Sequence, residues 1–293
     1  MTAVLTVLQV TAPVFALAAI GYAWVRLGHA YDTAFVTRLA MTLAVPALIF
    51  TALAGSALDP AAVGRLALAA GAAYGALAAG ALALCLGARL PLRTWLAPMV
   101  FGNTGNLGLP LCLFAYGEAG LALAVVVFAV TAIGQFTLGL WVVAGGGSPV
   151  PALREPMVGA TLLGALWLWQ GWPVPGVAAN ALGLVGQMAI PLMLITLGVA
   201  VARLRVAGLG RAVALSAAKA ALGAGAAWGV GGAMGLEGVA LGVLVLQMAT
   251  PAPVTSYLLA EKYGADAQAV AGLVVVSTAL SVAVLPGLLA ILL

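Results

Sequence analysis

Gly102-Asn103-Thr104-Gly105-Asn106-Leu107-Gly108-Leu109-Pro110 interrupts the apolar run between Thr94 and Tyr116. Three glycines, two asparagines and one proline in nine residues do not sustain a helix, because an interior glycine costs ~1 kcal/mol and a proline ~3 kcal/mol relative to alanine. The ten residues from Thr94 to Asn103 make about 15 Å of helix, half of a ~30 Å hydrocarbon core. A helix entering a membrane at Thr94 therefore breaks near the midplane. Gln247-Met248-Ala249-Thr250-Pro251-Ala252-Pro253-Val254-Thr255-Ser256-Tyr257 repeats the situation. There Pro251 and Pro253 lack an amide donor and disfavour helix at the residue before them.

Composition supplies the membrane. The chain is 65% hydrophobic and only 6% charged, with a mean hydropathy of +1.22. A water-facing globular surface needs roughly 25% charged residues, so lipid is the solvent for most of this chain. The net charge of +4 then reports topology and not nucleic-acid binding. The first charge is Arg26; with no basic segment ahead of it, the first apolar run is expected to stay as a span and not to be cleaved. Cys85 and Cys112 lie in apolar runs and read as small core residues, not as a disulfide.

Spans are expected at 3–25, 34–55, 63–87, 94–116, 119–143, 156–172, 178–201, 208–232, 238–260 and 267–291. Turn residues separate them: Leu58-Asp59-Pro60, Tyr116-Gly117-Glu118, Gly145-Gly146-Gly147-Ser148-Pro149, Gly171-Trp172-Pro173 and Tyr263-Gly264-Ala265-Asp266. One set of alternate loops and flanking ends holds Arg26, Arg38, Arg89, Arg93, Arg154, Arg203, Arg205, Arg211 and Lys262, and the other holds Arg65. That asymmetry places the basic loops in the cytoplasm and both termini outside, in a cell inner (plasma) membrane.

The chain also matches itself. Pro46 and Pro191 lie mid-span 145 residues apart, and Tyr116-Gly117 and Tyr263-Gly264 end their spans 147 residues apart. The latter offset carries the polar stretch 103–110 onto 250–257. Five spans per half is odd, so the halves 1–147 and 148–293 run in opposite senses as an inverted repeat. The two breaks then approach the midplane from opposite sides. After each one a new half-helix starts, near Leu107–Leu111 and near Ala252–Ser256, with unpaired amides at its positive end. Such a pair suits an anionic group. Asn103 and Asn106 share a face if the turn between them stays helical, and their amides can donate to a carboxylate.

Other intramembrane polar residues have plainer readings. Gln135, Asn180 and Gln187 read as glue between helices. Lys219 is the one ionisable residue well inside a span, where a charge costs ~3 kcal/mol or more. It can snorkel toward Arg211, contact substrate, or neutralise the carbonyl end of a broken helix, and the last is preferred. No Asp or Glu lies inside a span, which argues against a proton antiporter built on a carboxylate. His29, the one histidine, reads as a solvated loop residue, and no zinc spacing or nucleophile elbow supports an enzyme.

The first break, with Ala189-Ile190-Pro191-Leu192, Leu197-Gly198, Ala249-Thr250-Pro251-Ala252 and Leu258-Leu259-Ala260-Glu261-Lys262-Tyr263-Gly264, resembles the auxin efflux carrier family over essentially the whole chain. The resemblance implies an all-α, NhaA-like fold of ten helices with crossing broken helices, a scaffold of spans 1, 2, 6 and 7, and a mobile core of spans 3–5 and 8–10. It further implies elevator-type alternating access, a homodimer through the scaffold, and small organic anions such as malate, malonate or auxin-like acids as substrates. Carried onto this chain, the crossover positions are Asn103, Asn106 and Pro110 on one side and Thr250, Pro251 and Pro253 on the other. Thr104, Thr255, Ser256 and Lys219 complete the candidate substrate-binding set. No cofactor or metal is expected, with sodium or proton coupling left open. The short segment Ala144–Glu155 resembles bacterial members. The second break has two prolines and no asparagine, a departure from the family pattern. Competing readings are a sodium-coupled symporter like the bile-acid symporters and a receptor that keeps the fold without transporting.

Overall fold

The computed structural model describes residues 2–146, 156–204 and 208–293, with side chains from Leu5 onward. Residues 147–149 of the glycine-rich turn, Arg154 and Arg205 fall outside that range. The described residues form helices and no strand. In order these are α1 (Thr2–Arg26), α2 (Thr33–Leu39), α3 (Val45–Ala54), α4 (Pro60–Gly87), α5 (Leu92–Val100), α6 (Leu109–Gly134) and α7 (Leu140–Ala144). There follow α8 (Pro156–Gln170), α9 (Gly176–Gln187), α10 (Ala189–Arg203), α11 (Leu209–Ala233), α12 (Gly238–Met248), α13 (Val254–Lys262) and α14 (Ala267–Leu292). Wide π turns at Ala40–Ala44, Thr104–Gly108 and Gln135–Gly139 join α2 to α3, lead into α6, and join α6 to α7.

Local chemistry explains many of these limits. Asp32, Asp59 and Asp266 each accept a backbone amide at a helix start, from Phe35, Ala61 and Ala269 at 3.0 Å, the usual work of an N-cap. Three irregularities lie just ahead of a proline. The π turn Ala40–Ala44 precedes Pro46, the π turn Thr104–Gly108 precedes Pro110, and Met188, which parts α9 from α10, precedes Pro191. A proline ring clashes with the carbonyl four residues back, and a widened or broken turn relieves the clash.

Seven helical stretches among the described residues are long and apolar enough to cross a membrane. This is a multi-pass membrane protein. Seven differs from the expected ten for stated reasons. Leu92–Ala144 counts as one stretch of 53 residues, although Gly117, at φ 68° and ψ −157°, breaks its helical geometry where the Tyr116-Gly117-Glu118 turn was expected. Helix α8 has 15 residues, and α12 and α13 are short because the chain unwinds between them.

The helices sort into two groups by their contacts. Helix α1 packs along α10, and α3 packs against α8 and α9. Helices α4, α5, α6, α11, α12 and α14 pack mainly on one another. The α1–α10 approach depends on glycine: a Cβ at Gly198 would overlap the Ala18 carbonyl, and one at Gly21 would overlap that of Ile195.

Candidate functional site

The two unwound segments meet. Between α5 and the π turn before α6 the chain is irregular at Phe101–Asn103, and between α12 and α13 it is irregular at Ala249–Pro253. The Asn103 amide donates to the Pro251 carbonyl at 2.7 Å. A Cβ at Gly102 would overlap the Thr250 hydroxyl, so that glycine permits the two backbones to touch.

A crossing inside a membrane must account for each backbone group that its broken helices release. Lys219 on α11, 1% exposed, donates its ammonium to the carbonyls of Phe101 at 2.8 Å and Met99 at 3.3 Å. Those carbonyls end the first half-helix, so a full charge meets the negative end of α5. The Ala252 amide is taken by the Ser277 hydroxyl at 3.1 Å. Thr250 turns its hydroxyl to the Gln247 carbonyl at 2.6 Å.

On the other side of the crossing lies a cavity of about 220 Å³. Thr37, Asn103, Thr104, Asn106, Gln135 and Thr255 give its polar lining, and Met41, Phe128, Phe136, Met157 and Pro253 are among the apolar residues around it. No charged side chain is among the residues that line it. Leu107 and Gly108 both donate to the Asn103 carbonyl at 3.2 Å, so the amides of Thr104, Gly105 and Asn106 stand ahead of the first intrahelical bond. Val254 and Thr255 hold the corresponding place at the start of α13, and both line the cavity. Two positive helix ends and two asparagines therefore converge on one space.

Asn103 is 5% exposed, and its side-chain amide nitrogen has no partner. An unpaired buried donor costs ~1–3 kcal/mol, and this one belongs to a residue that lines the cavity. Asn106 also carries no side-chain hydrogen bond among the described residues. Gln135 differs: it donates to Thr255 at 2.6 Å, tying the end of α6 to the start of α13.

Of the ten candidate residues, Asn103, Thr104, Asn106, Pro253 and Thr255 line this cavity. Thr250, Pro251 and Lys219 line a void of about 10 Å³ across the crossing, with Ser216, Ser277 and Ser281. Pro110 and Ser256 are buried and line neither space. The glue reading fits Gln135. Asn180 and Gln187, by contrast, are exposed and make no hydrogen bond within the described chain. Thr37, Met41, Phe128, Phe136 and Met157 line the cavity without having been singled out in the sequence. Of these only Thr37 is polar, and it lies nine residues before Pro46, too far for the proline to have pointed to it. Among the described residues no cluster of His, Cys, Asp or Glu could hold a metal ion.

A family model described as "Membrane transport protein" matches residues 6–152 and 148–289. The chain belongs to this family, that of the auxin efflux carriers. It is a transporter and not an enzyme. A protein of Methanothermobacter thermautotrophicus named "Uncharacterized transporter" is 28% identical over 270 residues, covering 87% of each chain.

Proposed function

We propose that this transporter carries small organic anions, carboxylates of the size of malate, malonate or an auxin-like acid, across the inner membrane by elevator-type alternating access. The unpaired amide of Asn103 carries the reading, set in a cavity flanked by two positive helix ends and no charged side chain. Hydrogen-bond donors and helix dipoles hold an anion without a fixed cation. The 220 Å³ space is below the ~300–1,000 Å³ of sites for drug-sized ligands, which favours a small acid.

The architecture we infer is a ten-helix inverted repeat of the NhaA-like kind, divided near 147. Its support is the order of elements. In the first half α1, α2–α3 and α4 precede a broken helix and a final one. In the second, α8, α9–α10 and α11 precede a broken helix and α14. The grouping of α1, α3, α8, α9 and α10 apart from the rest supports a scaffold and a moving core. The basic ends of the helices favour a cytoplasmic side at Arg26, Arg93, Arg203 and Lys262, with both termini outside. A homodimer through the scaffold is supported by Asn180 and Gln187, exposed polar residues on α9 beside Val177 at 86% and Leu184 at 69% exposure. Bare amides facing lipid are costly, and a partner helix offers them bonds.

Flux into proteoliposomes from a panel of mono- and dicarboxylates, with and without a sodium gradient, tests the function. We expect saturable uptake of at least one acid. Uptake that requires sodium would favour a symporter, and background flux for the whole panel would favour a receptor.

A further inference from the structure

The cavity beside the crossing is not a closed chamber. A second cavity of about 80 Å³ shares Thr37, Met41, Asn106, Val254 and Thr255 with it and continues to Thr33, Thr196 and Ala200. Its far end is bounded by a small hydrogen-bonded set. Arg203, at the end of α10, donates through Nη1 to the Thr33 hydroxyl at 2.6 Å and through Nη2 to the Tyr31 carbonyl at 2.7 Å. The Tyr31 and Thr196 hydroxyls lie 2.7 Å apart. Asp32 sits between Tyr31 and Thr33 in sequence, but its carboxylate is engaged with the Phe35 amide.

We propose that Arg203 makes this second cavity an anion-selective entry path, with the guanidinium as the first contact of an arriving carboxylate. This rests on the reading of the midplane cavity as an anion site and adds the route to it. Charge placement carries the argument. The deep cavity is neutral, so an anion that enters it leaves water before it meets any fixed cation. Arg203 is exposed and bonds Thr33, which lines the path. Its fork carries five N–H donors, of which two groups of the protein take one bond each. A carboxylate can take the remaining donors in a bidentate pair, and the Thr33 and Tyr31 bonds can exchange for it as it passes inward. A cation at the mouth of a low-dielectric cleft raises the local concentration of anions.

Thiol labelling tests this without knowledge of the substrate. In the full chain with Cys85→Ala and Cys112→Ala, both native thiols being buried, a cysteine replaces Ala200 in the path or Met41 at its junction with the deep cavity. Each variant is treated with an anionic (sulfonatoethyl) or a cationic (trimethylammonioethyl) methanethiosulfonate, the rates being normalised to a free thiol. We expect A200C to react, to favour the anionic reagent, and to lose that preference by about fivefold with Arg203→Gln while keeping it with Arg203→Lys. A preference that survives in R203Q would overturn the proposal. So would a failure of both A200C and M41C to react in protein that elutes as the parent does. Labelling that succeeds while carboxylate flux stays at background leaves the path standing and removes the carrier reading. The reverse pattern removes the path alone.

Discussion

Asn103 and Lys219 serve one crossing from opposite sides, and substitution separates their tasks. Asn103 offers an unpaired donor to the cavity. Asn103→Ala removes it without opening the backbone bond to Pro251, so the fold holds while a carboxylate loses a charge-assisted bond of ~1.5–3 kcal/mol. Titration of a bound acid should show about 10–100-fold weaker affinity with an unchanged melting midpoint. Lys219 satisfies two carbonyls at the end of α5. Lys219→Met fills the space and leaves both unpaired, so the melting midpoint should fall by about 5–10 °C, with affinity changing little in the fraction that stays folded. A Lys219→Met variant of wild-type stability and much weaker binding would instead make the lysine a direct contact. At this scale the sequence placed Asn103 and Asn106 at the break, where they line the cavity, and Lys219 at the carbonyl end of the broken helix, because glycine and proline so close together interrupt a helix. It missed Met41, Phe128, Phe136 and Met157, whose apolar side chains look the same in a sequence whether they face lipid, core or cavity.

Single backbone positions shape the elements. Two prolines are preceded by a π turn and a third by the break at Met188. The sequence showed the prolines but not the widening, since the extra residue in a turn leaves no side-chain pattern. The third π turn, Gln135–Gly139, has no proline behind it; there the Thr137 hydroxyl bonds back to the Ile133 carbonyl at 2.5 Å, a contact known to bend helices. Gly198 sets the distance between α1 and α10, since a methyl group there would overlap the Ala18 carbonyl. Gly198→Ala should therefore lower the melting midpoint by several degrees, at ~1–3 kcal/mol for overpacking. Gly225→Ala on α11, where a Cβ meets nothing within 4 Å, should leave it level or raise it by the ~0.5–1 kcal/mol of glycine entropy. Equal effects of the two would contradict the close approach of α1 and α10.

At the scale of the whole molecule, membrane residence and family membership were legible in the sequence. The contact between the two breaks was an inference from symmetry, and the 2.7 Å bond from Asn103 to Pro251 now gives it geometry. The bond from Gln135 to Thr255 was not legible, because one sequence does not tell which of many helices lie side by side. On the dimer reading, the detergent-solubilised protein should scatter as twice the 29.0 kDa chain after correction for detergent. Gln187→Leu should weaken the dimer, whereas Leu68→Gln, at an exposed position on α4, should leave it intact. A monomer in mild detergent and in nanodiscs would remove the account of the exposed amides on α9.

The central claim is that the crossing of the two broken helices holds an anion on neutral donors and helix ends. Asn103→Asp tests it most directly, since the side chain keeps its shape and gains a negative charge facing the ligand space. Carboxylate uptake into proteoliposomes, measured on protein shown to be folded by its melting transition, should fall to background, with the midpoint lowered by up to about 10 °C because a charge inside the membrane costs ~3 kcal/mol. Uptake at the wild-type rate by folded Asn103→Asp protein would contradict the claim.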